Sequence, residues 1–136
     1  MPPTPEWLRA VDPFANAALL YYPRLQRVEQ YIQDRGFKGI KLTDVARIAG
    51  LETKYFSAYF HSKVGIRFRD WIRALRVERA KQLIRNQYSG IAGVAFAAGF
   101  SDVRSFERAF KLVVGSTPIE WRAAVQIHLR RSTSLS

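Results

Sequence analysis

The chain repeats itself, and that constrains its fold more than any other feature. Val45-Ala46-x-x-Ala49-Gly50 recurs as Val94-Ala95-x-x-Ala98-Gly99, an offset of 49 residues. After one extra residue near Asp102 the offset becomes 50. Phe56-x-x-x-Phe60 then recurs as Phe106-x-x-x-Phe110, Val64-Gly65 as Val114-Gly115, Asp70-Trp71 as Glu120-Trp121, and Ala74 as Ala124. An ordered set of matches of this kind marks a duplicated unit. Each unit has a physical reading. Ala46 and Ala95 leave room for a second helix to cross closely, and Gly50 and Gly99 supply the left-handed backbone of a sharp turn. The following helix carries Phe at i and i+4 to close a core and keeps its other face polar. That is the helix-turn-helix plan, in which the second helix enters a DNA groove. A helical hairpin array is the alternative, but it needs three or more units.

The rest of the chain reads as helix too. Ala, Leu, Arg, Gln and Glu dominate, and strict alternation is rare. Leu25, Val28 and Ile32 share one helical face, and Gly36 stops that helix. A stretch from about Arg67 to Arg85 contains no Gly or Pro. Its apolar residues form two stripes, Phe68-Ile72-Leu75 and Val77-Ala80-Ile84, pointing roughly opposite ways, as a helix serving a separate core at each end requires. Thr117-Pro118 opens a last helix, with Thr117 as N-cap and Pro118 in the first turn. The spacing predicts an all-α fold of about seven helices.

Charge narrows the partner. Of 136 residues, 22 are Lys or Arg and 11 are Asp or Glu, a net charge of +11. Residues 38–85 hold 12 of the basic and 4 of the acidic residues, or +8. So basic a chain of this size seeks a polyanion. A membrane-surface helix would gather its cations on one continuous amphipathic segment; here they are spread over short segments divided by glycines, which favours nucleic acid. The chain has no cysteine, so thiolate metal sites and thiol nucleophiles are excluded. No apolar run reaches transmembrane length and the start carries no signal-peptide pattern, which points to a soluble cytoplasmic protein.

The residues resemble the bacterial AraC/XylS family of transcription regulators over about Leu25 to Ala124. The match is most specific in Val94-Ala95-x-x-Ala98-Gly99-Phe100-Ser101-Asp102, then Ser105-Phe106-x-Arg108-x-Phe110-Lys111, then Gly115-x-Thr117-Pro118-x-x-Trp121-Arg122. The stretch Trp71-Ile72-x-x-x-Arg76-Val77-x-x-Ala80-x-x-Leu83-Ile84 is also similar. The first unit departs from the pattern, with Glu52 where Ser is frequent, Ala58 where Arg is frequent, and Lys41 in place of a small polar residue. The resemblance implies two homeodomain-like helix-turn-helix subdomains, at about 42–63 and 91–113, joined by a linking helix at about 67–85. The DNA-binding domain would then cover 25–124, between an N-terminal extension, 1–24, and a basic, mobile C-terminal tail, 125–136. An extension of about 24 residues is too short for a separate sensing domain, so a stand-alone DNA-binding regulator is expected, a monomer on its promoter site.

Readers are expected in the first two turns of each second helix, opposite the buried Phe. In the first unit these are Thr53, Lys54, Ser57 and Ala58; in the second, Val103, Arg104, Glu107 and Arg108. Arg104 and Lys54 suit guanine, Val103 a thymine methyl, and Glu107 the cytosine amine. Arg108 either reads a base, binds phosphate or braces Glu107. Arg47, Lys63, Arg67, Lys111 and Arg122 are expected on phosphates, helped by backbone N–H groups near Thr43 and Thr117. His61 and His128 stand far apart with no metal-ligand partners, and no nucleophile–base spacing occurs, so neither enzyme activity, metal nor cofactor is expected. Glu6 to Tyr22 is expected to add a helix over the core; its alternative is an interaction surface for dimerisation or RNA polymerase. A nonspecific architectural binder, or a protein-interaction adaptor, is the competing function. Mixed recognition chemistry (Thr, Lys, Ser, Arg, Glu) argues against an architectural binder, which needs only cations and apolar wedges.

Overall fold

The computed structural model describes residues 17–134, which are helical and divide into two compact units at Arg76/Val77. Eight helices occur among these residues: α1 (Ala17–Tyr21), α2 (Pro23–Asp34), α3 (Leu42–Ala49), α4 (Thr53–Val64), α5 (Phe68–Arg85), α6 (Ile91–Ala97), α7 (Val103–Val114) and α8 (Pro118–Ser134). α1 is additional to the seven expected segments and falls within Glu6–Tyr22, the stretch expected to add a helix over the core. Residues 1–16, including Glu6–Phe14 of the expected covering helix, lie outside the described residues.

In the first unit, α2 presents Leu25, Val28 and Ile32, each 0% exposed, to Val45, Ala46 and Ala49 of α3 and to Phe56 and Phe60 of α4. Leu19 of α1 joins the same core. Phe68 stands edge-on to Phe56 and Phe60 at 5.4 and 5.2 Å, and Trp71 packs against Phe60 at 5.2 Å. Each fully buried Phe contributes about 1.5–3 kcal/mol through burial, more than any polar contact of the unit. The N-terminal half of α5 belongs to this core through Phe68, Trp71, Ile72 and Leu75.

Two arginines of α2 fix the turn after α3. The Arg24 guanidinium donates to the Ala49 carbonyl at 2.7 Å, and Arg27 Nε donates to the Ile48 carbonyl at 3.3 Å. The last carbonyls of a helix have no partner within it, and cations are favoured at that end. Gly50 follows with φ +75°, and the Leu51 N–H closes the turn on the Ala46 carbonyl at 2.9 Å.

The second unit repeats this geometry. The Phe100 N–H donates to the Ala95 carbonyl at 3.0 Å around Gly99, whose φ is +105°. Val94, Ala95, Phe106 and Phe110 are 0% exposed, as are Val77 and Ala80 from the C-terminal half of α5. A ring chain runs Phe100–Phe106–Phe110–Trp121 at 5.3, 5.6 and 5.7 Å. Lys81 and Arg85 of α5 lie over the Trp121 ring at 5.8 and 5.3 Å. Thr117 caps α8: the Glu120 N–H donates to Thr117 Oγ1 at 3.2 Å, and the Thr117 hydroxyl donates to Glu120 Oε1 at 2.9 Å. The chain from 125 to 134, read from sequence as a mobile tail, continues α8 to Ser134. No Gly or Pro interrupts it, so nothing local ends the helix sooner.

Candidate nucleic-acid interface

The two turns each launch a helix of 12 residues, α4 and α7, whose buried stripes leave an opposite face outside. On α7 that face carries Arg104, Arg108 and Lys111, all exposed, at i, i+4 and i+7. Glu107 is exposed on its flank, and Val103 is half-buried at its start. The equivalent positions on α4, fifty residues earlier, are Lys54, Ala58 and His61, with Ser57 beside them and Thr53 half-buried. The Ser57 hydroxyl lies 3.4 Å from the Thr53 carbonyl, its donor turned back along the helix. The duplication thus gives matching faces with unequal charge: three cations on α7, one Lys and a His on α4.

The starts of the two helices also differ. The Asp102 carboxylate caps α7, accepting from the Ser105 N–H at 2.7 Å and from the Ser105 hydroxyl at 2.9 Å. Glu52 precedes α4 without a side-chain cap, because its extra methylene places the carboxylate poorly for the first-turn N–H groups. The Ser105 N–H first, then the Ser105 hydroxyl, hold the Asp102 carboxyl below the usual carboxylate range, with the Arg108 charge adding to them. A carboxyl with a lowered folded-state pKa stabilises fully above its ordinary value, and that contribution is lost as pH falls through the lowered one. Asp102→Ala should therefore melt a few degrees below the parent chain near pH 7. The gap between the two should close as the pH falls through the lowered carboxyl pKa; a gap that stayed constant with pH in circular-dichroism melts would show that the ionised cap contributes nothing.

The expected phosphate contacts are scattered. Thr43 is exposed on the first turn of α3, and Arg47, 78% exposed, stands 3.5 Å from Asp44. Arg67 is exposed just before α5, Lys111 shares the α7 face, and Arg122 is half-buried on α8. Lys63 points elsewhere, its ammonium over the rings of Tyr22 at 5.1 Å and Tyr59 at 5.9 Å. Arg108 and Glu107 are both exposed and form no ion pair among the described residues. Sequence reasoning missed His61 on the α4 face and Tyr55, 61% exposed on the same helix. The register of His61 with Lys111 was the signal that could have found it. Among the described residues no helix is long and apolar enough to cross a membrane, and no group of three or more side chains is placed to hold a metal ion.

Comparison with known proteins agrees with this geometry. A family model described as a helix-turn-helix domain matches residues 45–124. The chain is 31% identical over 97 residues to the virulence regulon transcriptional activator VirF of Yersinia enterocolitica, covering 71% of this chain and 36% of that protein. It spans 37% of the Msm operon regulatory protein of Streptococcus mutans, at 26% identity over 75% of this chain. The chain thus spans little more than a third of the length of these relatives. The C-terminal domain of AraT, a response regulator from Geobacillus stearothermophilus, superposes with a TM-score of 0.70 at 27% identity, covering 76% of this chain and 86% of that one. The DNA-binding domain of AdpA, solved with a target DNA, gives a TM-score of 0.72 at 23% identity, covering 78% and 95%, a likeness of fold.

Proposed function

Because the chain belongs to the AraC family of helix-turn-helix transcription regulators, we propose that it binds double-stranded DNA sequence-specifically and regulates transcription as a monomer on a bacterial promoter. The observation that carries this reading is the row Arg104–Arg108–Lys111 on the exposed face of α7, whose first turn is fixed by Asp102. Both recognition helices, within 42–63 and 91–113, enter successive major grooves, α7 supplying most of the readout. Arg104 takes guanine, Glu107 accepts from cytosine and Val103 meets a thymine methyl. On α4, Lys54 reads and Thr53 and Ser57 adjust. Thr43, Arg47, Arg67, Lys111, Thr117 and Arg122 position the chain on phosphates. Lys63 reaches a phosphate only by leaving its tyrosines. RNA polymerase is the protein partner this role calls for, and the Yersinia relative's name, an activator, favours activation.

Selection of duplexes from a random pool tests the proposal. One enriched motif is expected; no enrichment would leave a nonspecific binder. On the enriched site Arg104→Ala should cost about 1–3 kcal/mol and relax one base pair. Lys111→Ala should weaken all duplexes alike and reduce the salt slope by about one. Equal losses on enriched and random DNA for Arg104→Ala would remove it as a reader.

A further inference from the structure

We propose that His61 is a phosphate contact of the first recognition helix that grips DNA only when its imidazole is protonated, so that acidification tightens the first unit on the duplex. The duplication carries the assignment. Fifty residues separate Phe56 from Phe106, Phe60 from Phe110 and Gly65 from Gly115, and the same step takes His61 to Lys111. Both side chains are exposed. Each directly follows the second core phenylalanine of a 12-residue helix that ends at a left-handed glycine. The two helices therefore hold them in one register, and Lys111 is the cation assigned above to a phosphate. Where α7 carries a permanent charge, α4 carries one that depends on pH, because histidine is the residue type that ordinarily titrates between about pH 5 and 8.

The surroundings couple that charge to DNA. His61 lies along a groove with Arg67, Arg69 and Arg76, and no carboxylate lines it. Ile40 and Leu42, which reach the groove from the α3 side, are uncharged, as are Ser57 and Ala58 of α4 itself. Lys54 lies two turns back on the same face, while Lys63 is held over the rings of Tyr22 and Tyr59. Asp70 of α5 stands with Arg73 at 3.6 Å. Among the described residues the protonated imidazole thus has no anion to pair with, and a DNA phosphate supplies one. Binding takes up a proton, so affinity rises as pH falls. The inference rests on the DNA binding proposed above.

Affinity of the full chain for random-sequence duplex, followed by fluorescence anisotropy from about pH 8 to 5.5 at fixed ionic strength, tests the contact. In the parent chain affinity should rise about fivefold on acidification. The salt slope should steepen by about one, as one more phosphate is neutralised. His61→Lys should keep the acid-side affinity and slope throughout, and His61→Gln the alkaline-side values. His128→Gln, which removes the chain's other histidine, should behave as the parent. Both positions are exposed, so melting temperatures should stay with the parent's. A parent affinity indifferent to pH, a dependence that survives in His61→Gln, or one lost in His128→Gln would overturn the contact. A dependence seen on the enriched site and absent on random duplex would overturn it in favour of base readout. A chain that binds no duplex at any of these pH values would instead refute the function proposed above, and the contact would fall with it.

Discussion

Gly99→Val is expected to unfold the second helix-turn-helix at moderate temperature and to abolish DNA binding. Gly99 has φ +105°, beyond the narrow left-handed window that any side chain tolerates, and a β-branched residue is the worst occupant there. The strain is on the order of 3 kcal/mol, enough to lower melting by roughly 10–20 °C in a unit of this size. Relaxing the backbone there disturbs the bond from the Phe100 N–H to the Ala95 carbonyl, which closes the turn between α6 and α7. Gly50, at φ +75° and ψ +30°, lies nearer the tolerated region. There the obstacle is a neighbour: an added Cβ meets the Arg24 guanidinium at 3.1 Å. Gly50→Asn should thus be milder than Gly99→Val. Calorimetry of both variants decides; a Gly99→Val chain that melts and binds like the parent would mean the turn does not set the helix pair.

Inserting two alanines after Arg76 is expected to leave each unit folded and to cost specific affinity by about a thousandfold, towards the nonspecific level. α5 runs without a break through this position, and the two compact units divide there. Two added residues turn everything beyond them by about 200° and advance it by about 3 Å. Alanine favours helix, so the change is transmitted rather than absorbed. Helix content should hold while the DNase footprint shrinks to the site of one recognition helix. A variant with the parent's footprint and affinity would show that α5 does not set the spacing of the two readers.

What the sequence made legible is what repeats or is local. The matched glycines located both turns, and the paired phenylalanines located the buried stripes of α4 and α7, because these depend on neighbours a few residues away. The contacts that escaped are long-range. Arg24 reaches Ala49 across 25 residues, and Arg76 reaches Phe37 across 39; no periodicity signals a side chain bound to a distant carbonyl. Nor does periodicity signal that the Lys63 ammonium lies over the ring of Tyr22, far from it in sequence. The length of α8 was missed because Arg130-Arg131-Ser-Thr-Ser reads as a polar tail, although it contains no breaker. Likewise only folding brings Leu42 of α3, Ala58 of α4 and Arg69 of α5 to line one groove.

The two arginines that α2 lends to the end of α3 bear on where this molecule can be divided. Similarity to the helix-turn-helix model begins at residue 45, yet a fragment starting there would keep the reading helix and discard Arg24, Arg27 and the apolar face of Leu25, Val28 and Ile32. The carbonyls of Ile48 and Ala49 would lose their donors, and Phe56 and Phe60 would face water. The recurring motif is therefore not the autonomous unit. A transplant of α3 and α4 that is to keep its fold must carry α2 with it.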